Sequence, residues 1–202
     1  MGEPAGGQYF EAQPTAASRP GTVRLDLPDR SLALATDRGV FSADRIDPGT
    51  KYLLLEAPAP PATGTFLDLG CGYGPIACTL AGRAPDATVW AVDVNRRALD
   101  LCRTNATALG LHNLRVSAVD EVPADLEIDL LWSNPPIRIG KPGLHELLAT
   151  WLDRLSPGGR AVLVVQKHLG ADSLRRWLEE RGWPTERLGS RAGYRLLQVE
   201  PM

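Results

Sequence analysis

Cysteine is scarce in this chain: Cys71, Cys78 and Cys102 are the only three in 202 residues, and no two of them form a C-x-x-C pair. A disulfide framework and a zinc site are therefore not expected, and the three thiols read as small buried apolar side chains. No run of eighteen apolar residues is present, so no helix is expected to span a membrane. The N-terminus has no basic start followed by an apolar block, which gives no secretion signal and a cytoplasmic expectation. A large charge excess is missing too. The net charge of −2 argues against capture of nucleic acid by the whole surface. The charge is uneven, however: residues 160–202 carry 8 basic and 5 acidic groups, against 14 and 19 in residues 1–159. A basic C-terminal third is either a solvated face or a surface for a polyanion.

What is present is an alternation of apolar strands, glycine turns and helices. The length suits one α/β domain with a small appendage, and not two domains. Residues 1–21, rich in Gly, Pro, Ala and Ser, read as a loose lead-in with Tyr9 and Phe10 as its anchors. Residues 22–61 read as a unit packed on the domain that follows, residues 62–202. In it, Val23–Leu27 and Leu32–Leu34 alternate around Pro28-Asp29-Arg30 as a β-hairpin, and Pro48–Glu56 is a helix capped by Asp47. Leu53, Leu54 and Leu55 on that helix suit a core or an interface.

From 62 to 202 the spacing predicts strands at 65–69, 88–92, 114–116, 128–132, 161–165 and 194–199. Helices are expected at 75–83, from Asn95 to Gly110, at 142–155 and at 171–181. The apolar runs at 128–132 and 161–165 suit strands covered on both faces. The fold expected is α/β: a doubly wound, mostly parallel, seven-stranded sheet with a short N-terminal hairpin and helix. On such a sheet, ligands sit at the carboxyl ends of the strands.

Asp68-Leu-Gly-Cys-Gly-Tyr-Gly74 lies at that edge. Gly70, Gly72 and Gly74 allow a sharp turn and a close ligand. Their G-x-G-x-G spacing is one residue shorter than the dinucleotide fingerprint, and Asp68 would repel a diphosphate. A nicotinamide oxidoreductase is thereby disfavoured. A cationic ligand fits better, such as the amino group and sulfonium of S-adenosylmethionine. Asp93, ending the second strand of the repeat, suits the two hydroxyls of a ribose. Asp120, past the third, either reaches an adenine amino group or is a solvated charge.

Ser133-Asn-Pro-Pro136 follows the fourth strand. Two prolines there make a rigid turn that holds Asn134 and the Pro135 carbonyl at the sheet edge. An exocyclic amine is a poor nucleophile because its lone pair is delocalised. Two acceptors, the Asn134 side-chain oxygen and the Pro135 carbonyl, would hold its protons and turn the lone pair toward the methyl group. No metal or covalent nucleophile is needed for such a displacement.

These residues carry a resemblance. The 68–74 loop with Asp93 is similar to the class I S-adenosylmethionine-dependent methyltransferases, which have a Rossmann-like fold. Asn134-Pro-Pro-Ile137 resembles the amino methyltransferases of adenine, guanine or glutamine nitrogen. Gly39-Val-Phe-Ser42, Asp47-Pro-Gly-Thr50 and Gly193-Tyr194 resemble the small-subunit ribosomal RNA guanine-N2 methyltransferases and their single-domain relatives, over roughly residues 22–199. The resemblance implies cofactor contacts at Asp68, Gly70, Gly72, Asp93 and Asp120, Phe41 near the cofactor, and a catalytic Asn134. It also implies a (ribosomal) RNA substrate meeting Pro136 and Ile137. Ile137 stands where the family often has an aromatic residue that stacks on the base, and the chain shows only a short lead-in where the ribosomal enzymes carry a second domain. Lys167 and His168, at the end of the fifth strand, suit a substrate phosphate or solvent. The alternatives are N-methylation of a protein glutamine or a small amine, and a cofactor-binding module without activity.

Overall fold

A computed structural model describes residues 17–202 of the chain; Tyr9 and Phe10 lie outside the described residues. The chain runs β1 (Gly21–Asp26), β2 (Ser31–Thr36), α1 (Pro48–Glu56), β3 (Thr65–Leu69), α2 (Pro75–Arg83), β4 (Thr88–Asp93), α3 (Arg96–Ala108) and β5 (Leu114–Ala118). It continues β6 (Ile128–Ser133), α4 (Gly140–Leu152), β7 (Leu155–Gln166), α5 (Ala171–Glu180), β8 (Thr185–Arg191) and β9 (Tyr194–Val199). β1 and β2 form an antiparallel hairpin. The other seven strands make one sheet in the order β5-β4-β3-β6-β7-β9-β8. The pairs from β5 to β7 are parallel, and β9 runs antiparallel to both β7 and β8.

The sheet is covered on both faces, as its apolar runs anticipate. Phe66, Leu130, Trp132, Val162 and Val164 face α1, α2, α3 and the hairpin. Leu67, Leu69, Leu131, Leu163 and Val165 face α4 and α5. Leu53 and Leu54 are fully in the first of these cores, whereas Leu55 is partly exposed. Among the described residues no helix is long and apolar enough to cross a membrane.

Two elements depart from the sequence expectation. Helix α4 starts at Gly140 and stops at Leu152 rather than running from 142 to 155, because Leu155 already pairs with Ile128 at the start of a twelve-residue β7. Ser156-Pro-Gly-Gly159 is a bulge inside that strand, since the register jumps from Leu155↔Ile128 to Arg160↔Leu130. A side chain at 159 would come within 2.7 Å of the Ile128 carbonyl, so the bulge needs glycine there. The second departure is β8, which no apolar alternation announces. Its sequence Thr-Glu-Arg-Leu-Gly-Ser-Arg is that of an exposed sheet edge, where charge discourages pairing with another chain. The Ala192-Gly193 turn, with both φ values positive, joins it to β9.

A buried side chain ties the hairpin to α3 and the glycine loop. The Asn105 amide on α3 accepts from the Ala35 N–H (2.7 Å) and donates to the Ala35 carbonyl (3.0 Å) and the Tyr73 carbonyl (2.8 Å). It thus bonds the free edge of β2 and the glycine loop at once. Asn105→Ala leaves three backbone groups unmatched, and a loss of about 2–4 kcal/mol of stability is expected. Urea unfolding with an unchanged m-value measures it; a loss below about 1 kcal/mol would show that solvent replaces the amide.

Candidate active site

β3 and β6 are neighbours in the sheet but not in the chain. The connection from β3 goes one way, to β4, while β6 leads the other way, to β7. At such a switch point the loops after the strands diverge and leave a crevice. It is present here as a cleft of about 240 Å³, far beyond the roughly 10–15 Å³ that one water needs. Its walls come from residues 69–73 after β3, 92–95 after β4, Val119 after β5, 134–138 after β6, Phe41, Ser42, Asp47 and Thr50 before and in α1, and Gln166 and Tyr194.

The three glycines of the loop all have positive φ, for different reasons. At Gly72 an added Cβ would meet nothing within 4 Å, and at Gly70 nothing nearer than 3.9 Å. Both border the cleft. Their backbone is open to a ligand. Gly74 is not in the cleft wall: a Cβ there would lie 2.6 Å from the Cys102 sulfur. Its smoothness serves packing against the thiols. All three cysteines are free and buried in this region, and burial pushes the Cys71 thiol up to about 12.

The acids differ as well. Gly74 stands at the N-cap of α2 with no side chain to cap it, and Asp68 does so from the preceding strand. Asp68 Oδ2 accepts from the Ala77 N–H at 2.9 Å, while Oδ1 is buried with no partner among the described residues. Burial holds this carboxyl well above the usual carboxylate range, and the charge of Asp93 adds to the effect. Asp68 therefore stands behind the loop and not in the cleft wall. Asp93 is in the wall. Its Oδ2 accepts from Gly72 N–H (2.8 Å) and its Oδ1 from Asn95 N–H (2.9 Å), so the carboxylate also holds the glycine loop in place. Burial raises its pKa, against the lowering effect of those N–H donors. Asp120 is exposed on a 3₁₀ turn, and its neighbour Val119 takes the place at the cleft.

Asn134, Pro135, Pro136 and Ile137 all line the cleft beside the glycine loop. Ser133 Oγ, bonded to the Leu69 carbonyl at 2.7 Å, pins the two strand ends together. Pro136 (φ −73°, ψ 75°) makes an inverse γ-turn in which the Pro135 carbonyl accepts from the Ile137 N–H at 2.8 Å. One lone pair of that carbonyl is thus engaged and one remains. Asn134 Nδ2 donates to Asp47 Oδ1 (2.8 Å) and Thr50 Oγ1 (3.0 Å). These two residues, with Gln166 and Tyr194, are the site features that sequence reading did not single out as site residues. Tyr194 accepts from Gln166 Nε2 at 2.9 Å. Phe41 is partly exposed at the cleft, whereas Lys167 and His168 lie on an exposed turn outside the wall.

The methyltransferase small-domain family matches residues 31–198. The chain belongs to the methyltransferase small-domain family. A Bacillus subtilis (strain 168) protein called uncharacterized protein YbxB is 31% identical over 195 residues, covering 95% of this chain and 97% of that one. The ribosomal RNA small subunit methyltransferase C of Shewanella halifaxensis is 33% identical over 151 residues, or 72% of this chain and 43% of its own length. The T. thermophilus 16S rRNA N2 G1207 methyltransferase, solved with AdoMet and guanosine, superposes with a TM-score of 0.74 at 24% identity. It covers 91% of this chain and 51% of that chain. The chain spans about half the length of these ribosomal RNA methyltransferases.

As a small-domain methyltransferase the protein uses S-adenosylmethionine. The residues present fit that cofactor: a glycine-lined backbone open to the cleft and a carboxylate at Asp93 in its wall. When bound, the cofactor supplies an electrophilic methyl group on a sulfonium.

Proposed function

We propose that this small-domain methyltransferase methylates the exocyclic amine of guanine in ribosomal RNA. Asn134 carries the reading. Both hydrogens of its amide are committed to Asp47 and Thr50, so the only amide atom left for the cleft is the acceptor oxygen. A group held by such an oxygen must donate a hydrogen, as an amine does and a carbonyl or ether does not. The remaining lone pair of Pro135 would take the second amine proton. Asp93 would accept the cofactor ribose, Gly70 and Gly72 would lie along its backbone-facing side, and Phe41 beside it. Pro136 and Ile137 would meet the base, Ile137 by apolar contact. The ribosomal RNA is supported by the Shewanella and T. thermophilus relatives, whose names give that substrate.

The deciding experiment supplies the purified protein and methyl-labelled S-adenosylmethionine to three pools from cells that lack it: extracted RNA, small ribosomal subunits and total protein. Label in guanine of small-subunit RNA is expected, from free RNA or from subunits. Label confined to protein would replace the RNA reading by a glutamine or amine acceptor.

A further inference from the structure

Asn134 can hold an amine only in one of its two amide orientations. Turned over, it would present Nδ2 to the amine, donor against donor, at nearly no change in shape. Something must choose between the two, and the choice is made 84 and 87 residues away in the chain, at the start of α1. We propose that Asp47 and Thr50 are positioning residues that lock the Asn134 amide with its oxygen toward the methyl acceptor. This rests on the amine-holding reading of Asn134 given above.

The chemistry of the two partners makes the choice one-sided. An ionised carboxylate only accepts hydrogen bonds, so the flipped amide would set its oxygen against that of Asp47. Asp47 is itself fixed. Its Oδ1 receives the Thr50 N–H at 2.9 Å as the cap of α1, in addition to the Asn134 amide at 2.8 Å. Pro48 opens the helix with a fixed φ, and at Gly49 an added Cβ would be 2.6 Å from the Tyr194 ring. The first turn of α1 thus packs against Tyr194 at the start of β9, and its cap bond to Thr50 holds Asp47 at the cleft. The carboxylate also polarises the amide it receives. Negative charge beside Nδ2 makes the far oxygen a stronger acceptor, as in any chain of hydrogen bonds. Asp47 thus sets both the direction and the strength of the Asn134 acceptor.

Removing the cap and removing the lock can be separated. Asp47→Ser keeps a good cap for α1 but is one bond too short to hold both Thr50 N–H and Asn134. Asp47→Asn keeps an acceptor oxygen and loses the charge. Thr50→Val keeps the shape and loses the second acceptor. Each is assayed for transfer to small ribosomal subunits from cells lacking the protein, beside Asn134→Ala, with S-adenosylmethionine affinity measured by calorimetry. The side-chain amide protons of Asn134 are followed by NMR. Asp47→Ser is expected to lower kcat by about 10- to 100-fold, the larger figure being what a misplacement of roughly 1 Å costs. Cofactor affinity should stay within about twofold, and the Asn134 amide protons should lose their downfield shift and exchange protection. Asp47→Asn should restore most of kcat but remain severalfold below the wild type. If Asn134→Ala lowers kcat by about 10²- to 10³-fold while Asp47→Ser and Thr50→Val leave it unchanged, the positioning role is wrong and the role of Asn134 stands. Unchanged transfer by Asn134→Ala overturns both. An unaltered Asn134 amide signal in Asp47→Ser overturns the lock whatever the substrate proves to be.

Discussion

Replacing Asn134 by alanine is expected to lower kcat for methyl transfer by about 10²- to 10³-fold, the loss that follows removal of one preorganised polar group at a reacting centre. Affinity for S-adenosylmethionine should stay within about twofold, because the loss is made only in the transition state. The physical reason is the nucleophile. An exocyclic amine has its lone pair drawn into the ring, and the barrier falls only when its protons are held so that the nitrogen becomes pyramidal. Asn134 offers an oxygen with no donor on it among the described residues, in a cleft shared with the glycine loop. The Pro135 carbonyl offers less, since the Ile137 N–H already occupies it. A residual rate is therefore expected rather than none. Asn134→Asp should be no better than alanine, because a second carboxylate would face Asp47. The alanine variant also gives up two hydrogen bonds, about 1 kcal/mol each, so its melting temperature must be measured beside its rate. A folded variant with full turnover would remove the role proposed for this side chain.

How much of this was legible beforehand depended on how local the signal is. Helix α2 is found at 75–83 as expected, because Pro75 and the preceding glycine mark its start. Asn95 caps α3 through the Ala98 N–H, and Gly110 follows its end with positive φ. The cap Asp47 and the hairpin at 21–36 are as local and as readable. The glycine loop was readable as a group but not residue by residue: what makes Gly74 different from Gly72 is a sulfur from α3, which no spacing reports. Asp120 follows a strand and so suits either an adenine amino group or solvent; on the 3₁₀ turn it is exposed, and Val119 lines the cleft. β8 was hidden because a polar edge strand has no buried face to alternate. The Asp47–Asn134 bond was hidden because two short polar side chains distant in sequence meet only where α1, packed on β7 and β9, reaches the end of the neighbouring β6.

Asp93→Ala is expected to weaken S-adenosylmethionine binding by about 1.5–3 kcal/mol, the worth of hydrogen bonds to a charged acceptor, or about 10- to 150-fold in Kd. The carboxylate has work on both sides: its oxygens hold the N–H groups of Gly72 and Asn95, and their remaining lone pairs face the cleft where ribose hydroxyls would donate. Asp93→Asn keeps one acceptor and should fall between the two. The pH dependence distinguishes a charged acceptor from a loop anchor. Burial holds Asp93 above the ordinary carboxylate value of about 3.9, and Asp68 well above it. In the free protein both bind a proton more tightly folded than unfolded. The stability they contribute is complete below the unfolded value and is lost as pH rises through the raised folded values. Asp29 and Asp37 act in the opposite sense. The Arg83 guanidinium holds Asp29 low. Asp37 is held low against its burial by hydrogen bonds from Ser18 and the Arg19 and Arg38 N–H groups, with the Arg97 charge helping. Their stability is present above the unfolded value and lost as pH falls. Cofactor affinity should instead rise with pH through the raised value of Asp93, because only the ionised form accepts from both hydroxyls. Calorimetry of the wild type as pH rises from the ordinary carboxylate value should show that rise, and Asp93→Asn should flatten it. A wild-type affinity that stays flat as pH rises from there would leave Asp93 as an anchor of the glycine loop and move the ribose contact elsewhere in the cleft.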